Sequence, residues 1–183
     1  MLKDKSQYLY QPFFCEENIW HLTKRLITDR ELTVQVLYFI NEQQAVLMTQ
    51  QIAFGPKRLG CWDYHVVLSL PQEKIIVDFD SLLGFQSELR QYFSDSFPDQ
   101  ELIDNNFRLT VRIVDGRDYL EFFSSDRSHM IDANGRLLAP FPEWPKIQSE
   151  SNPLHLVDLR DPGFQDERLR DQSIADYLKD VGE

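Results

Sequence analysis

Apolar positions recur at spacings of three and four from Cys15 to about Thr28, where Ile19, Leu22 and Leu26 align and Trp20 widens the stripe. That pattern predicts an amphipathic helix. Pro12 stands ahead of it, and Glu16 and Glu17 fall in its first turn, where carboxylates suit the positive end of the helix dipole. From Val34 to Ile40 the chain changes to a β-branched and aromatic run, which predicts a strand. Asn41-Glu42-Gln43-Gln44 reads as a turn, and Ala45 to Ala53 is expected to return as the partner of that strand. Gly55 to Gly60 is a loop on composition. Trp62 to Leu70 then alternates, with Trp62, Tyr64, Val66, Leu68 and Leu70 on one face and Asp63, His65, Val67 and Ser69 on the other. Pro71 to Lys74 turns the chain into a return strand over Ile75 to Asp80.

The second half is less regular. Gln86 to Ser94 is expected to be helical, Phe107 to Val114 a strand, and Arg117 to Phe123 a short helix. Ser124 to Met130 reads as a loop and Asp132 to Gly135 as a turn, and prolines exclude regular structure from Ala139 to Pro153. A helix from Ser173 to Val181, capped by Ser173, closes the chain. No repeat, low-complexity tract or linker divides it. Residues 1–183 are therefore expected to form one α+β domain around an antiparallel sheet.

A hydrophobic fraction of 42% and thirteen Phe in 183 residues are enough to bury a core. Nineteen Lys and Arg against thirty Asp and Glu give a net charge of -11, which argues against nucleic-acid binding. The same charge favours cationic ligands such as peptide amino termini, although solubility alone accounts for it. Two cysteines, Cys15 and Cys61, exclude a disulfide-dense scaffold. The leading segment Met1 to Gln7 is polar, and no apolar run approaches the roughly 20 residues that span a bilayer. The expectation is a soluble, cytoplasmic monomer with no nucleic-acid or membrane partner, in which Cys15 stays a free thiol.

That thiol gives the chain its chemistry. Cys15 opens a helix, His65 lies on a strand, and Asp78 and Asp80 lie on the neighbouring strand, which are the parts of a Cys-His-Asp nucleophilic site. If the turn pairs Leu70 with Ile75, His65 falls opposite Asp80 and Asp78 is one diagonal step away. Pairing slightly favours Asp80 and leaves both carboxylates open. A nucleophilic thiol must ionise below its ordinary value of about 8.5. A helix dipole and a nearby imidazolium both help, so Glu16 and Glu17 are expected to face away from the sulfur or bind a cation.

Plainer readings stand beside this one. A buried cysteine is commonly an inert small hydrophobe, and a strand histidine facing a carboxylate is often a structural pair. Zinc is disfavoured, because no second Cys or His sits at ligand spacing around Cys15. Cys61 has no helix start to activate it and reads as structural, while His21 and His155 read as packing or surface residues. The polar stretch Ser124 to His129 is either a hydrogen-bonded loop or a wall of the site in which Asp126 holds a cation.

Three segments together carry a resemblance: Cys15-Glu16-Glu17-Asn18-Ile19-Trp20, Trp62-Asp63-Tyr64-His65-Val66-Val67-Leu68 and Ser125-Asp126-Arg127-Ser128-His129-Met130. In order and separation they resemble the protein N-terminal glutamine amidohydrolase family. The resemblance implies a papain- or transglutaminase-like α/β sandwich with a central antiparallel sheet, forming one catalytic domain. It implies conversion of an amino-terminal glutamine of proteins or peptides to glutamate, with release of ammonia and with neither metal nor organic cofactor. By motif position Cys15 is the nucleophile, His65 the base and acid, and Asp78 the orienting carboxylate, with Asp80 its competitor. Selectivity for a terminus requires a reader of the α-ammonium group, for which Glu16, Glu17, Asp63 and Asp126 are unranked candidates. Beyond Pro140 the resemblance is loose, which bears on peptide preference more than on the reaction. Two alternatives remain: another thiol hydrolase on the same scaffold (an internal-glutamine deamidase, protease or transglutaminase), or a non-catalytic binding module.

Overall fold

Ile19, Leu22 and Leu26 form the buried stripe of helix α1 (Cys15–Arg30), which lies across the sheet as its apolar spacing demands. In the computed structural model every residue is described except Met1, Lys3, Glu31 and Glu183, so the polar leading segment falls partly outside the described residues. After α1 come β1 (Gln35–Ile40), β2 (Val46–Met48), β3 (Gly60–Trp62), β4 (His65–Leu70), β5 (Ile75–Val77) and β6 (Gln86–Glu88). The second half holds α2 (Leu89–Ser96), β7 (Thr110–Asp115), α3 (Gly116–Phe122), β8 (Phe123–Ser124) and β9 (Leu154–His155). It ends with α4 (Leu156–Leu159), β10 (Leu169–Gln172) and α5 (Ile174–Gly182).

Six strands make one antiparallel sheet in the order β10-β7-β1-β4-β5-β6. Helices cover both of its faces. On one, α1, α3 and α4 close over Val36, Tyr38, Val66 and Leu68; on the other, α2 and α5 close over Leu37, Phe39, Val67 and Ile76. The fold is thus mixed α/β with a sheet buried on both sides. This is why every residue of β4 is buried, although the sequence had suggested one polar face.

Several expected elements change under tertiary constraint. The segment after the first turn does not pair with β1, because both edges of β1 are taken by β4 and β7. Only Val46–Met48 is a strand, and it pairs with β3. The Asn41 side chain bonds the Ala45 N–H and carbonyl at 2.9 and 2.8 Å, and Gln44 adopts a left-handed φ of 47°, turning the chain out of the sheet. The run from Trp62 to Leu70 is divided at Asp63-Tyr64. Trp62 consequently packs against the opposite core from Tyr64. The start of the expected helix at Gln86 is instead edge strand β6, which satisfies the outer side of β5 before Glu88 caps α2 through the Gln91 N–H. Strands β8, β9 and β10 and helix α4 carried too short a pattern to be expected. Ser173 does cap α5, its Oγ accepting the Asp176 N–H at 3.1 Å.

Arg112 on β7 is wholly buried and faces its register partner Asp171 on β10, to which it donates at 2.9 and 2.8 Å. Its remaining donors reach the carbonyls of Leu159, Asp161 and Phe164 at 2.8–3.0 Å. One side chain thereby fastens the last sheet strand and the turn after α4. Arg112→Met should destabilise the fold by about 2–4 kcal/mol, since it leaves Asp171 and several carbonyls without partners. Urea unfolding measures this, and a loss below about 0.5 kcal/mol would mean that solvent replaces the clamp without penalty.

Candidate active site

Cys15 is the first residue of α1, and its position is set by the residues just before it. Phe13 takes a left-handed φ of 69° and stays exposed, while Phe14 turns inward, wholly buried, with Phe141 edge-on at 5.9 Å. The Asn18 side chain holds both backbone groups of Gln11 at 2.8 and 2.9 Å. The helix start is therefore fixed against the sheet, with its thiol in a cavity of about 380 Å³. Cys15, Trp62, Asp63, Tyr64, His65 and Asp80 line that cavity, and exposed Phe13 and Leu138 also border it. Its size lies within the range of small-ligand pockets.

His65 opens β4, its ring stacked near Trp62 at 6.0 Å and Phe39 at 6.4 Å between centroids. Its Nε2 lies 3.1 Å from Asp78 Oδ2, both side chains almost fully buried. Asp78 follows β5 directly, and its carboxylate also accepts from Gln51 Nε2 at 3.0 Å, the Tyr92 hydroxyl at 2.8 Å and the Asp80 N–H at 2.8 Å. The pairing of Leu70 with Ile75 occurs as expected, yet the ladder stops at Leu68–Val77. Beyond it the strands part. The contact that strand arithmetic gave to Asp80 therefore goes to Asp78, while Asp80 accepts the Tyr10 hydroxyl at 2.5 Å. Gln51 and Tyr92 escaped the sequence analysis. Gln51 lay in a segment expected to be a strand and Tyr92 in one expected to be a helix, and neither carries a motif that marks it as a partner of Asp78.

Burial disfavours the imidazolium, but the charge of Asp78 at 3.1 Å leads the effects that outweigh it and hold His65 above its ordinary value. Burial likewise raises the Asp78 carboxyl, and His65, Gln51 and the Asp80 N–H bring it below the ordinary value. Cys15 behaves differently. Burial pushes its thiol well up, with Glu16 and Asp80 adding to the effect and the Val66 N–H opposing it. The helix-dipole activation expected from the sequence is thus outweighed by burial of the thiol.

Glu16 and Glu17 separate sharply. Glu16 is buried beside the sulfur, accepting the Cys15 thiol at 3.6 Å and the Tyr64 hydroxyl at 3.0 Å. The expectation that it faces away fails, because burial raises its carboxyl to about 8 and makes it a neutral acid that the thiol tolerates. Glu17 points elsewhere and binds a cation: Arg127 holds it at 2.8 and 2.7 Å, with Trp144 Nε1 at 2.7 Å. Its carboxylate is filled and does not line the cavity. Asp126 is exposed, caps the Ser128 N–H at 2.8 Å and borders a neighbouring depression with His155 and Arg160. Asp63 does line the cavity, more than half exposed and paired with Arg160 at 3.2 Å. Cys61 is exposed on β3, outside the cavity. Among the described residues no group of three or more His, Cys, Asp or Glu is arranged to hold a metal ion, and no helix is long and apolar enough to cross a membrane.

The sequence model of the N-terminal glutamine amidase family matches residues 10–169, which contain every residue of this cavity. The chain belongs to that family. Relatives named protein N-terminal glutamine amidohydrolase include one from Bos taurus, 33% identical over 82% of this chain and 76% of its own length. One from Caenorhabditis elegans is 33% identical over 84% of this chain and 85% of its own. Another from Danio rerio is 28% identical, over 97% and 91%.

The His65–Asp78 pair makes a pH prediction. Its stabilisation is complete between about pH 3.9 and 6.5, the ordinary values of the two groups. It is lost as pH rises through the raised value of His65, and as pH falls through the depressed value of Asp78. An NMR titration should place the His65 midpoint above about 6.5, and Asp78→Asn should bring it below that value, since burial then dominates. A midpoint that stays put in the variant would show that Asp78 does not set the charge of the ring.

Proposed function

We propose that this chain is a thiol amidohydrolase that converts the amino-terminal glutamine of proteins or peptides to glutamate, releasing ammonia. Family membership over residues 10–169 carries the reading of the activity. The cavity shared by Cys15 and His65, with Asp78 on the far side of the imidazole, supports a Cys-His-Asp mechanism. The fold is read as the papain- or transglutaminase-like sandwich, a single catalytic domain working as a cytoplasmic monomer.

Asp78 occupies Nε2 of His65, which leaves Nδ1 to exchange protons with Cys15. The Cys15 sulfur gives its proton to His65 and attacks the side-chain amide carbon, forming a C–S bond and an oxyanion. The backbone N–H of Cys15 is the donor assigned to that oxyanion. As the tetrahedral species collapses, His65 passes the proton to the leaving nitrogen and ammonia departs, leaving a thioester. Water, deprotonated by His65, then adds to the thioester, the C–S bond breaks, and glutamate and the thiol are released. No step calls for a metal or organic cofactor.

The test is ammonia release and mass spectrometry on a short peptide with a free amino-terminal glutamine, beside its acetylated form and an asparagine analogue. Only the first should gain the mass change of deamidation. Cys15→Ala and His65→Ala should each lower kcat at least roughly 10³-fold, while Cys61→Ala retains most of the activity. Turnover of the acetylated peptide would favour an internal-glutamine deamidase. A Cys61→Ala protein as inactive as Cys15→Ala would overturn the nucleophile.

A further inference from the structure

An enzyme of amino-terminal glutamine must read the α-ammonium group, and a short side chain separates that group from the amide it attacks. Reader and nucleophile must therefore share one cavity. Of the carboxylates considered from the sequence, Glu17 and Asp126 lie outside it. Glu16 is enclosed behind the Tyr64 hydroxyl and the thiol, and Asp63 is solvent-exposed with Arg160 already upon it.

Asp80 remains. It lines the cavity with Cys15 and His65, and the contact with His65 that would occupy it as an orienting group belongs to Asp78. Tyr10 fixes Oδ1 at 2.5 Å, and among the described residues nothing donates to Oδ2 and no cationic side chain is in ion-pair contact. Lys5, the nearest ammonium, sits on the Tyr10 ring at 3.9 Å from its centre and donates to the Phe79 carbonyl. We propose that Asp80, held by Tyr10, receives the substrate's α-ammonium group and confers the selectivity for a chain terminus.

This rests on the amidohydrolase reading and extends it. Burial and the neighbouring Asp78 raise the Asp80 carboxyl above its ordinary value, outweighing the opposing charges of His65 and Lys5 and the Tyr10 hydrogen bond. Asp80 is also one of the groups that keep the Cys15 thiol protonated. An ammonium seated on Asp80 offsets that field, so the group that identifies the terminus also eases ionisation of the nucleophile. Acetylated or internal glutamines lack it and leave the thiol at rest.

The experiment compares two peptides: one beginning with glutamine, and the same peptide with the α-amino group replaced by hydrogen. The unsubstituted protein should favour the free amine by at least roughly 10²-fold in kcat/KM, in line with a desolvated charge-assisted hydrogen bond. Asp80→Asn should shrink that preference roughly 30- to 100-fold, and Tyr10→Phe, which keeps the charge but frees the carboxylate, several-fold. Asp63→Asn should not share the loss. A preference untouched by Asp80→Asn, or one that collapses in Asp63→Asn, overturns the assignment while turnover of the glutamine peptide keeps the amidohydrolase reading intact. Equal losses on both peptides in Asp80→Asn and Tyr10→Phe would return Asp80 to a structural role. If the unsubstituted protein turns over neither peptide, the activity itself is wrong and this inference falls with it.

Discussion

Asp78 keeps a negative charge where water hardly reaches, and that is tolerable only because four groups from separate parts of the chain meet its two oxygens. His65 comes from β4, Gln51 from the segment that bridges to Ser81, Tyr92 from α2, and the Asp80 N–H from the turn after β5. Withdrawing one partner would leave an expensive charge for the others to solvate. The helix on one face, the inner strand β4 and an irregular segment are thereby bound to a single point. The ring of His65 is positioned from that point.

A chain with this excess of acid has to manage its other buried carboxylates too, and it does so in two ways. Glu17 is met by the fork of Arg127, which also reaches the carbonyls of Pro142 and Trp144. Without a strand ladder of its own, the stretch from Ser125 to Trp144 is held to α1 by this contact, and His129 and Met130 are carried to the cavity wall with it. Glu16 has no Arg or Lys partner among the described residues; its neighbour is the His129 imidazole at 3.5 Å, which burial keeps below its ordinary value, and burial raises the Glu16 carboxyl in turn. The result is a cavity that is negative at Asp80 and Asp63, apolar around Phe13, Trp62 and Leu138, and resting with a protonated thiol. Such a site is better matched to a cationic terminus than to an arbitrary peptide segment.

Local information was enough for α1, for the turn pairing Leu70 with Ile75, for the capped α5 and for the absence of regular structure among the prolines, because spacing and turn chemistry act over a few residues. It also placed a thiol, an imidazole and two carboxylates near one another. The choice between those carboxylates could not be made from pairing, since it depends on where the β4–β5 ladder ends, and Gln51 and Tyr92 decide that from elsewhere in the chain. Glu16 and Glu17 are separated by about 100° on a helix, so their side chains had to diverge. Which one met the sulfur was fixed by Arg127, more than a hundred residues away. The partner of β1 was likewise a competition among strands distant in sequence, which no local pattern resolves. Periodicity specifies which face of an element is buried; the identity of what buries it, and hence the charge state of every group in the cavity, comes only with the packed fold.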